Sequence, residues 1–481
     1  FLFFSLAAVL FLKSFNCWYY ERNLGYRRYH LPPGDLGWPF IGNMFSFLRA
    51  FKSAAPDSFI AGFVHRFGQG GLYKAHMFGN PSIIVTTAEA CRRVLTDDDS
   101  FIPGWPTATV NLIGRNSFVG IYDDDHKRLR KLTAAPVNGH ELLSTYIRYI
   151  EDIMVKALED WESMGGEIEF LTELRRVTFK IIMHIFLSSE SEPVMASMER
   201  EYTCLNYGVR AMAINLPGFA YHSALKARKN LVRILQGVVS ERRSVKRTEE
   251  GCSEKKKKRD MMDALMDVED EGGRRLSDEE IIDVLVMYLN AGHESSAHIT
   301  MWAVVFLQNH PRVFERAKAE QEEIVRNRPG DQKGLTLRDL RRMEYLSNVI
   351  DETLRVVTFS SMVFREARKD VSICGYTIPK GWKALVWFRS VHFNPETYPD
   401  PKEFDPSRWE GFTPKAGHFL PFGLGSRLCP GNDLAKIEIA IFLHHFLLHY
   451  KLQRQNPRSA VMYLPHTRPK DNCRGRIIRA A

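Results

Sequence analysis

Residues 421–432 read PFGLGSRLCPGN, and this stretch decides the interpretation of the fold. It fills every fixed position of the pattern F-x-x-G-x-R-x-C-x-G, from Phe422 through Arg427 and Cys429. A thiolate in an apolar surrounding is stable only where a metal and backbone N–H groups satisfy it, and glycines let the backbone turn that tightly. A buried structural cysteine in a glycine-rich turn does not account for ten residues with every fixed position filled. The pattern therefore predicts that Cys429 ligates haem iron.

The composition describes a folded globular protein. Its 481 residues are 44% hydrophobic and 26% charged, which excludes a disordered or collagen-like chain. Lys and Arg exceed Asp and Glu by 66 − 57 = 9, a balance that suits a membrane surface or an acidic protein partner. No zinc-finger spacing and no basic repeat with interleaved aromatics indicates nucleic acid. Seven cysteines without a C-x-x-C disfavour a disulfide framework and a structural zinc site.

The amino terminus has the pattern of a membrane anchor. Residues 1–12 are nearly all apolar, and basic residues follow between Lys13 and Arg28. A cleavable signal peptide carries its positive charge before the apolar stretch, so an uncleaved anchor is favoured. We expect residues 1–28 to be a truncated anchor with its juxtamembrane segment, and residues 29–481 to be a catalytic domain that faces the cytosol.

The rest of the chain predicts a mainly α fold with small β-sheets. Residues 71–87 alternate like two strands around a Gly79–Asn80–Pro81 turn. Most of 88–370 has the spacing of helices, and 371–410 shows short strands and proline-rich turns. The polar stretch 246–259 predicts a mobile loop.

One predicted helix is exceptionally long. Ser277 and Glu280 form a capping box at its start, and it continues to His310, just before Pro311. At the rise of an α-helix it would cross an entire domain.

With these features together, the chain resembles the cytochrome P450 family of haem-thiolate monooxygenases. Glu352 and Arg355 lie on one helix face in DETLR, and Arg408 follows in FDPSRW. Alone, the first two are an ordinary helical ion pair. The resemblance implies that the three form a structural network supporting the cysteine loop. It also implies haem b between the long central helix and that loop, with Cys429 as the axial ligand.

Within the long helix, residues 291–296 read AGHESS and are similar to the family's oxygen-activation motif. The resemblance implies that the Ser295 hydroxyl hydrogen-bonds the bound oxygen and that Glu294 relays protons. Serine replaces the usual threonine and lacks the methyl group that stiffens χ1. A solvent-facing Glu-Ser pair is the plainer alternative.

The same resemblance assigns residues to the haem itself. Arg427, Arg130 and Arg365 would bind its propionates, and His126 replaces the family's tryptophan beside Arg130. Phe422 belongs to the cysteine motif. Single arginines are usually surface residues, so these roles rest on the resemblance and on the charge of the propionates.

No G-x-G-x-x-G or flavin motif is present, so electrons must come from outside the chain. The resemblance implies O₂ as co-substrate, an NADPH-cytochrome reductase as donor, and the endoplasmic reticulum membrane, with the plastid envelope as an alternative. Lys127, Arg128 and Lys131 are candidates for a reductase-docking surface, although a solvated helix face explains them almost as well.

Several segments outside the general motifs are similar to the plant ent-kaurenoic acid oxidases, among them FGNPSIIVTT, LTAAPVNGHE and INLPGFAYH. That resemblance implies successive oxidations of a diterpene acid towards a gibberellin precursor. A triterpene oxidase of the β-amyrin type is the runner-up. A haem-thiolate isomerase is disfavoured by the retained acid and alcohol, and a haem sensor by the anchor.

By family position, these residues would line the substrate cavity: Phe101, Arg115, Phe118, Met287, Ala291, Val357 and Phe364. Apolar side chains at such spacings are core residues by default. Arg115 is the candidate partner for a substrate carboxylate.

Overall fold

The fold is known from a computed structural model that describes residues 2–22, 24, 29–187, 192–249 and 260–480. The helices are α1 (Leu2–Arg22), α2 (Met44–Lys52), α3 (Asp57–Phe67), α4 (Ala88–Thr96), α5 (Thr107–Ile113), α6 (Asp123–Asn138), α7 (His140–Ser163), α8 (Phe170–Leu187), α9 (Glu192–Val209), α10 (Ala220–Glu249), α11 (Met261–Asp267), α12 (Asp278–Asn309), α13 (Pro311–Arg326), α14 (Leu337–Arg341), α15 (Glu344–Val357), α16 (Phe388–His392) and α17 (Asn432–His449).

The strands are β1 (Leu72–Met77), β2 (Asn80–Val85), β3 (Phe101–Pro103), β4 (Ile168–Glu169), β5 (Met362–Ala367), β6 (Val371–Ile373), β7 (Tyr376–Ile378), β8 (Lys383–Trp387), β9 (Tyr450–Arg454), β10 (Val461–Met462), β11 (Arg468–Pro469) and β12 (Arg474–Arg479). There are also two short 3-10 helices. Pro406–Trp409 precedes the cysteine motif, and Gly425–Arg427 lies within it. The predicted class, mainly α with small sheets, is confirmed.

The chain divides into two compact units. The first comprises Phe1–Gly104, Asp351–Cys429 and Arg458–Lys470. Its main sheet has the strand order β1-β2-β8-β5-β3, in which only the β2–β8 pairing is parallel. Both sheet faces bury apolar side chains, and Trp387 of β8 is fully buried on one of them.

The predicted hairpin forms, but its turn lies one residue earlier than expected. β1 and β2 pair antiparallel with Met77 opposite Asn80. Phe78 and Gly79 therefore form a two-residue turn, with φ of 51° and 79°. Two central residues with positive φ are typical of the type I′ turn, whose twist matches paired strands.

The carboxyl-terminal half of α1 contacts the first unit's sheet region. The Asn16 amide donates to the backbone oxygens of Leu36 and Trp38, at 2.9 and 2.6 Å, and Lys74 pairs with Glu21 at 2.8 Å. In the described part of the chain, no helix combines the length and the apolar character needed to cross a membrane. The predicted juxtamembrane residues 25–28 lie outside the described residues.

The second unit comprises Trp105–Ile350, Pro430–Pro457 and Asp471–Ala481. Its helices surround α12, which is buried along most of its length, and its small sheet has the order β4-β12-β9. The prediction for the long helix is confirmed: Ser277 caps α12 in a reciprocal capping box with Glu280, and His310 ends it. Of the predicted loop 246–259, residues 246–249 continue α10, and the others lie outside the described residues.

Candidate haem and oxygen-activation site

The cysteine motif forms a tight turn in the first unit. The backbone N–H of Cys429 donates to the Phe422 oxygen at 2.9 Å, closing the loop on itself. Gly423 and Gly425 have φ of 77° and 75°. A Cβ at Gly425 would lie 2.5 Å from the backbone oxygen of Leu95, so only glycine lets the turn approach α4 this closely. Such a turn suits a thiolate ligand because it directs backbone N–H groups towards the sulfur.

Two guanidinium groups act on each other beside this turn. Arg365 of β5 is buried, and burial together with the positive charge of Arg427 lowers the pKa of its guanidinium to about 10. Asp98 opposes the shift only in part. A buried guanidinium that is destabilised by a like charge is stabilised by an anion. Haem carries two anionic propionates, so Arg365 and Arg427 would fit the cofactor that the motif implies.

The carboxylate of Glu352 is the centre of a buried network in the same unit. Arg355 donates to both of its oxygens at 2.7 and 2.8 Å, and Arg408 donates at 3.0 Å. The Trp409 indole N–H and the Asp405 backbone N–H also donate to it, each at 3.0 Å. Glu352 and Arg355 are fully buried. Sequence reasoning identified the three charged members but missed Trp409, although it directly follows Arg408.

His392 is a further buried group that sequence reasoning missed. Its Nε2 accepts the backbone N–H of Leu420 at 2.9 Å, immediately before the cysteine motif, and its Nδ1 lies 2.9 Å from the Thr358 hydroxyl. Burial and the charge of Arg355 lower the pKa of His392 to about 3, so the ring is neutral. A neutral ring that accepts at Nε2 carries its proton on Nδ1. His392 thus ties the start of the cysteine loop to the end of α15.

In the second unit, the oxygen-activation motif lies near the middle of α12. The Ser295 hydroxyl donates to the Ala291 oxygen at 3.0 Å. This bond fixes the serine rotamer that the missing methyl group would otherwise leave loose. Ala291 is exposed, and Gly292 and Ser295 are partly exposed, while their neighbours His293, Glu294 and Ser296 are buried. The small side chains of Ala291 and Gly292 therefore lie beside the Ser295 hydroxyl, whose orientation is fixed by its bond to the Ala291 oxygen.

Glu294 faces α8 and α9 and is held as an anion. Its carboxylate lies 3.2 Å from Arg175 and 3.3 Å from Arg210, and the Asn206 amide donates to it at 3.0 Å. Burial would raise the pKa of this carboxyl, but Arg210 and Arg175 outweigh that effect and lower it to about 2. An acid with that pKa accepts hydrogen bonds rather than donating a proton at neutral pH. Sequence reasoning missed Arg175 of α8, Asn206 of α9 and Arg210, which directly follows α9.

His126 and Arg130 lie one turn apart on α6 in the second unit. His126 is buried, and its ring centroid is 5.6 Å from that of Phe118. The Arg130 guanidinium lies over the same phenyl ring at 5.9 Å. Phe118 also approaches Tyr288 of α12, with ring centroids 6.3 Å apart. The predicted haem residues of this unit are therefore joined through an aromatic side chain that was predicted to line the cavity.

The remaining predicted cavity residues have varied surroundings. In the first unit, Phe101 and Val357 are buried, and Phe364 packs against Phe78 with ring centroids 5.1 Å apart. In the second unit, Met287 is buried in α12, while Arg115 is exposed and donates to Asn111 at 3.3 Å.

The basic residues considered for partner docking differ in availability. Arg128 pairs with Asp270 at 2.7 Å and with Glu280 at 2.9 Å, and also donates to the Arg275 oxygen at 3.0 Å. The Arg128 guanidinium is therefore engaged by groups of its own unit. Lys127 and Lys131 are exposed, with acidic neighbours on the surface.

Comparison with known proteins gives consistent matches. A family model described as "Cytochrome P450" matches residues 32–466. The chain is 66% identical to "Ent-kaurenoic acid oxidase 1" of Arabidopsis thaliana, over 97% of this chain and 94% of that relative. It is 50% identical to "7,8-epoxymelianol synthase CYP88A154" of Ailanthus altissima, over 98% and 94%. The solved structure "Retinoic acid bound cyanobacterial CYP120A1" superposes with a TM-score of 0.81 at 26% identity, covering 94% of this chain and all of that one.

Proposed function

The chain belongs to the cytochrome P450 family, and from that premise we propose that it oxidises ent-kaurenoic acid in successive steps towards a gibberellin precursor. It is a haem-thiolate monooxygenase, which uses O₂ and receives electrons from a redox partner. The observation that carries the substrate proposal is the 66% identity to the Arabidopsis ent-kaurenoic acid oxidase over nearly the whole length of both chains.

Haem, when bound, supplies the redox chemistry that inserts one oxygen atom of O₂ into a C–H bond. In our proposal Cys429 would ligate the haem iron, and the turn closed on Phe422 would hold the sulfur in place. Arg365 and Arg427 would bind propionate. The family resemblance assigns Arg130 and His126 to the propionates as well. The network of Glu352, Arg355 and Arg408 supports the polypeptide that leads to the ligand loop and takes no part in the chemistry.

Proton delivery is assigned to Ser295 and Glu294. The Ser295 hydroxyl is already oriented by its bond to the Ala291 oxygen. Because Glu294 is ionised, it serves as an acceptor that orders water, and it transfers a proton only when its contact with Arg175 or Arg210 is broken. The exposed Lys127 and Lys131 are available to an acidic partner, whereas Arg128 is not. We assign the donor as an NADPH-cytochrome reductase at the endoplasmic reticulum membrane.

A triterpene oxidase of the β-amyrin type is the second candidate. The relative named as a 7,8-epoxymelianol synthase is 50% identical, against 66% for the ent-kaurenoic acid oxidase. Relatives named for different compounds therefore both match nearly the whole of this chain. The higher identity favours the diterpene acid.

The test is product analysis in membranes that contain this chain and a plant reductase. Ent-kaurenoic acid and β-amyrin are incubated separately with NADPH, and oxidised products are followed by mass spectrometry. Stepwise oxidation of the diterpene acid alone is the expected result. Oxidation of β-amyrin alone would overturn the substrate assignment. The Cys429→Ala variant is the matched control and should give no product from either compound.

A further inference from the structure

A buried ion pair in the second unit connects α12 to the segment that follows α5. Asp283 lies in the second turn of α12 and is 6% exposed. Its carboxylate pairs with Arg228 of α10 and accepts the backbone N–H of Asn116 at 3.0 Å. Asp283 precedes Ala291 by eight positions on the same helix, and the predicted oxygen-activation motif begins at Ala291.

Arg228 forms hydrogen bonds with the carboxyl-terminal end of α5. Its guanidinium donates to the backbone oxygens of Leu112 and Ile113, at 3.1 and 3.0 Å. These are the last two carbonyls of α5, and the last carbonyls of a helix have no partner within the helix. Arginine suits this position because its planar guanidinium directs several N–H donors in a fixed geometry towards two carbonyls and a carboxylate, which the compact ammonium of lysine on its flexible stem does not reproduce.

Gly114 makes the approach of Asp283 possible. It has φ of 132°, and a Cβ built there would lie 2.4 Å from the carboxyl carbon of Asp283. The buried Ser117 hydroxyl then donates to the Gly114 oxygen at 2.7 Å and closes the turn. The segment from Leu112 to Ser117 is thus held by side chain, backbone and steric fit together.

The segment ends at Phe118, whose ring lies beside Tyr288 and under the Arg130 guanidinium, as described above. Tyr288 precedes Ala291 by three residues, less than one helical turn of 5.4 Å. Tyr288 also precedes Ser295 by seven residues, so the two lie on the same face of α12, about two helical turns apart. A shift of this ring would change both the space offered to a bulky compound and the position of Arg130.

We propose that Asp283 and Arg228 are positioning residues that determine substrate selectivity by holding the Leu112–Phe118 segment against α12. The proposal rests on the proposed monooxygenase function, and it adds that an ion pair outside the reacting groups sets how a bulky substrate is presented to them. Breaking the pair changes which compound binds, and which of its positions is oxidised, before it affects haem ligation.

The test compares Arg228→Lys, Asp283→Asn and Gly114→Ala in the haem-loaded enzyme. Arg233→Lys is the matched control, because Arg233 lies on the same helix, is exposed, and donates to the Asn230 side chain at 3.1 Å. The first readout is the affinity for two haem-binding probes, imidazole and the bulkier 4-phenylimidazole, measured by absorbance titration. The second is the ratio of oxidised products from ent-kaurenoic acid. Thermal unfolding and the thiolate spectrum of the carbon monoxide complex are recorded for every variant.

We expect the affinity for 4-phenylimidazole to change by about tenfold in each of the three variants, while imidazole affinity and the thiolate spectrum stay unchanged. We also expect an altered product ratio. Arg233→Lys should match the parent protein in all readouts. Gly114→Ala keeps both charges, so it tests the geometry even if the charge variants fold poorly.

Parallel loss of haem and thermal stability, with unchanged probe selectivity in the fraction that still folds, would overturn the proposal. Unchanged selectivity in Gly114→Ala would do so as well. If the parent protein does not oxidise ent-kaurenoic acid, the substrate assignment fails by itself. The two imidazole probes still decide the role of the ion pair in that case.

Discussion

Glu294 and Ser295 are consecutive residues of α12 whose side chains have opposite surroundings. The Glu294 carboxylate is buried between Arg175 and Arg210, whereas the Ser295 hydroxyl lies on a partly exposed stripe and donates to Ala291. The acid and the alcohol of the motif are therefore not in direct contact in this conformation. Proton transfer between them requires water, or a movement that releases the carboxylate from its two arginines.

Replacement of Cys429 by alanine should abolish the thiolate spectrum of the carbon monoxide complex, because no other residue of the motif can supply the sulfur ligand. Absorbance spectroscopy of the reduced protein is the measurement. Cys374→Ala is the matched control, since Cys374 is exposed and remote in sequence from the motif. A thiolate spectrum that survives in Cys429→Ala would refute the ligand assignment.

Ser295→Ala should raise the amount of hydrogen peroxide released per NADPH consumed, because the hydroxyl that orients proton delivery is lost. Ser295→Thr keeps the hydroxyl and adds the methyl group that restricts χ1, so it should release no more peroxide than the parent protein. Peroxide and NADPH are measured in the same reaction. Equal coupling in Ser295→Ala and Ser295→Thr would remove Ser295 from the catalytic residues.

Glu294→Gln should slow turnover and lower stability by about 1–3 kcal/mol, since two arginines lose their shared carboxylate. The pKa of Glu294 is lowered to about 2, so its contribution to stability is present above the normal carboxyl pKa. That contribution is lost as the pH falls towards 2. The stability difference between the two proteins should therefore be constant from pH 5 to pH 8 in urea titrations. A difference that disappears between pH 6 and pH 5 would contradict the ionised state.

Glu352→Gln should destabilise the fold by about 3–5 kcal/mol, because Arg355 and Arg408 are left without their buried counter-charge. Urea unfolding followed by the thiolate spectrum measures the loss. Lys127→Ala removes an exposed pair with Asp124 and should cost about 0.5 kcal/mol or less. Equal losses of stability from the two substitutions would show that the Glu352 network does not stabilise the fold.

Glu438 of α17 should make the protein less stable as the pH rises. Burial raises the pKa of this carboxyl to about 8, against a smaller lowering by the Ser296 hydroxyl. Because the folded protein keeps the proton that the unfolded chain releases above the normal pKa, stability declines from about pH 4.5 to pH 8. Glu438→Gln should remove that decline and gain on the order of 2–3 kcal/mol at pH 7. Thermal unfolding across this pH range is the measurement, with the exposed Glu323→Gln as control. If the stability of Glu438→Gln declined with pH in the same way as that of the parent protein, the prediction would be contradicted.

Local features were predictable where neighbours in sequence decide them. The capping box of Ser277 and Glu280 set the start of α12, and Pro311 set its end, because both act within one helical turn. The hairpin turn was displaced by one residue. Its position depends on the pairing of Met77 with Asn80, which the sequence pattern alone leaves open by one step.

Long-range partners were not predictable in the same way. Arg175 and Arg210 are 119 and 84 residues from Glu294 in the chain, and nothing near them marks a shared site. Trp409 and His392 likewise became visible only through the groups they bond. Arg128 was predicted from the sequence as a candidate for partner docking, but it forms ion pairs with Asp270 and Glu280 within the second unit.

The sequence by itself determined the fold class and the haem-thiolate chemistry, and it predicts Cys429 as the ligand, because a thiolate ligand loop and a helix cap are encoded in contiguous residues. Tertiary structure alone decided the charge state of Glu294, the tautomer of His392 and the ion pair of Asp283 with Arg228. These depend on desolvation and on charges brought within a few ångströms by packing. Electrostatic energy varies with distance and burial rather than with separation along the chain.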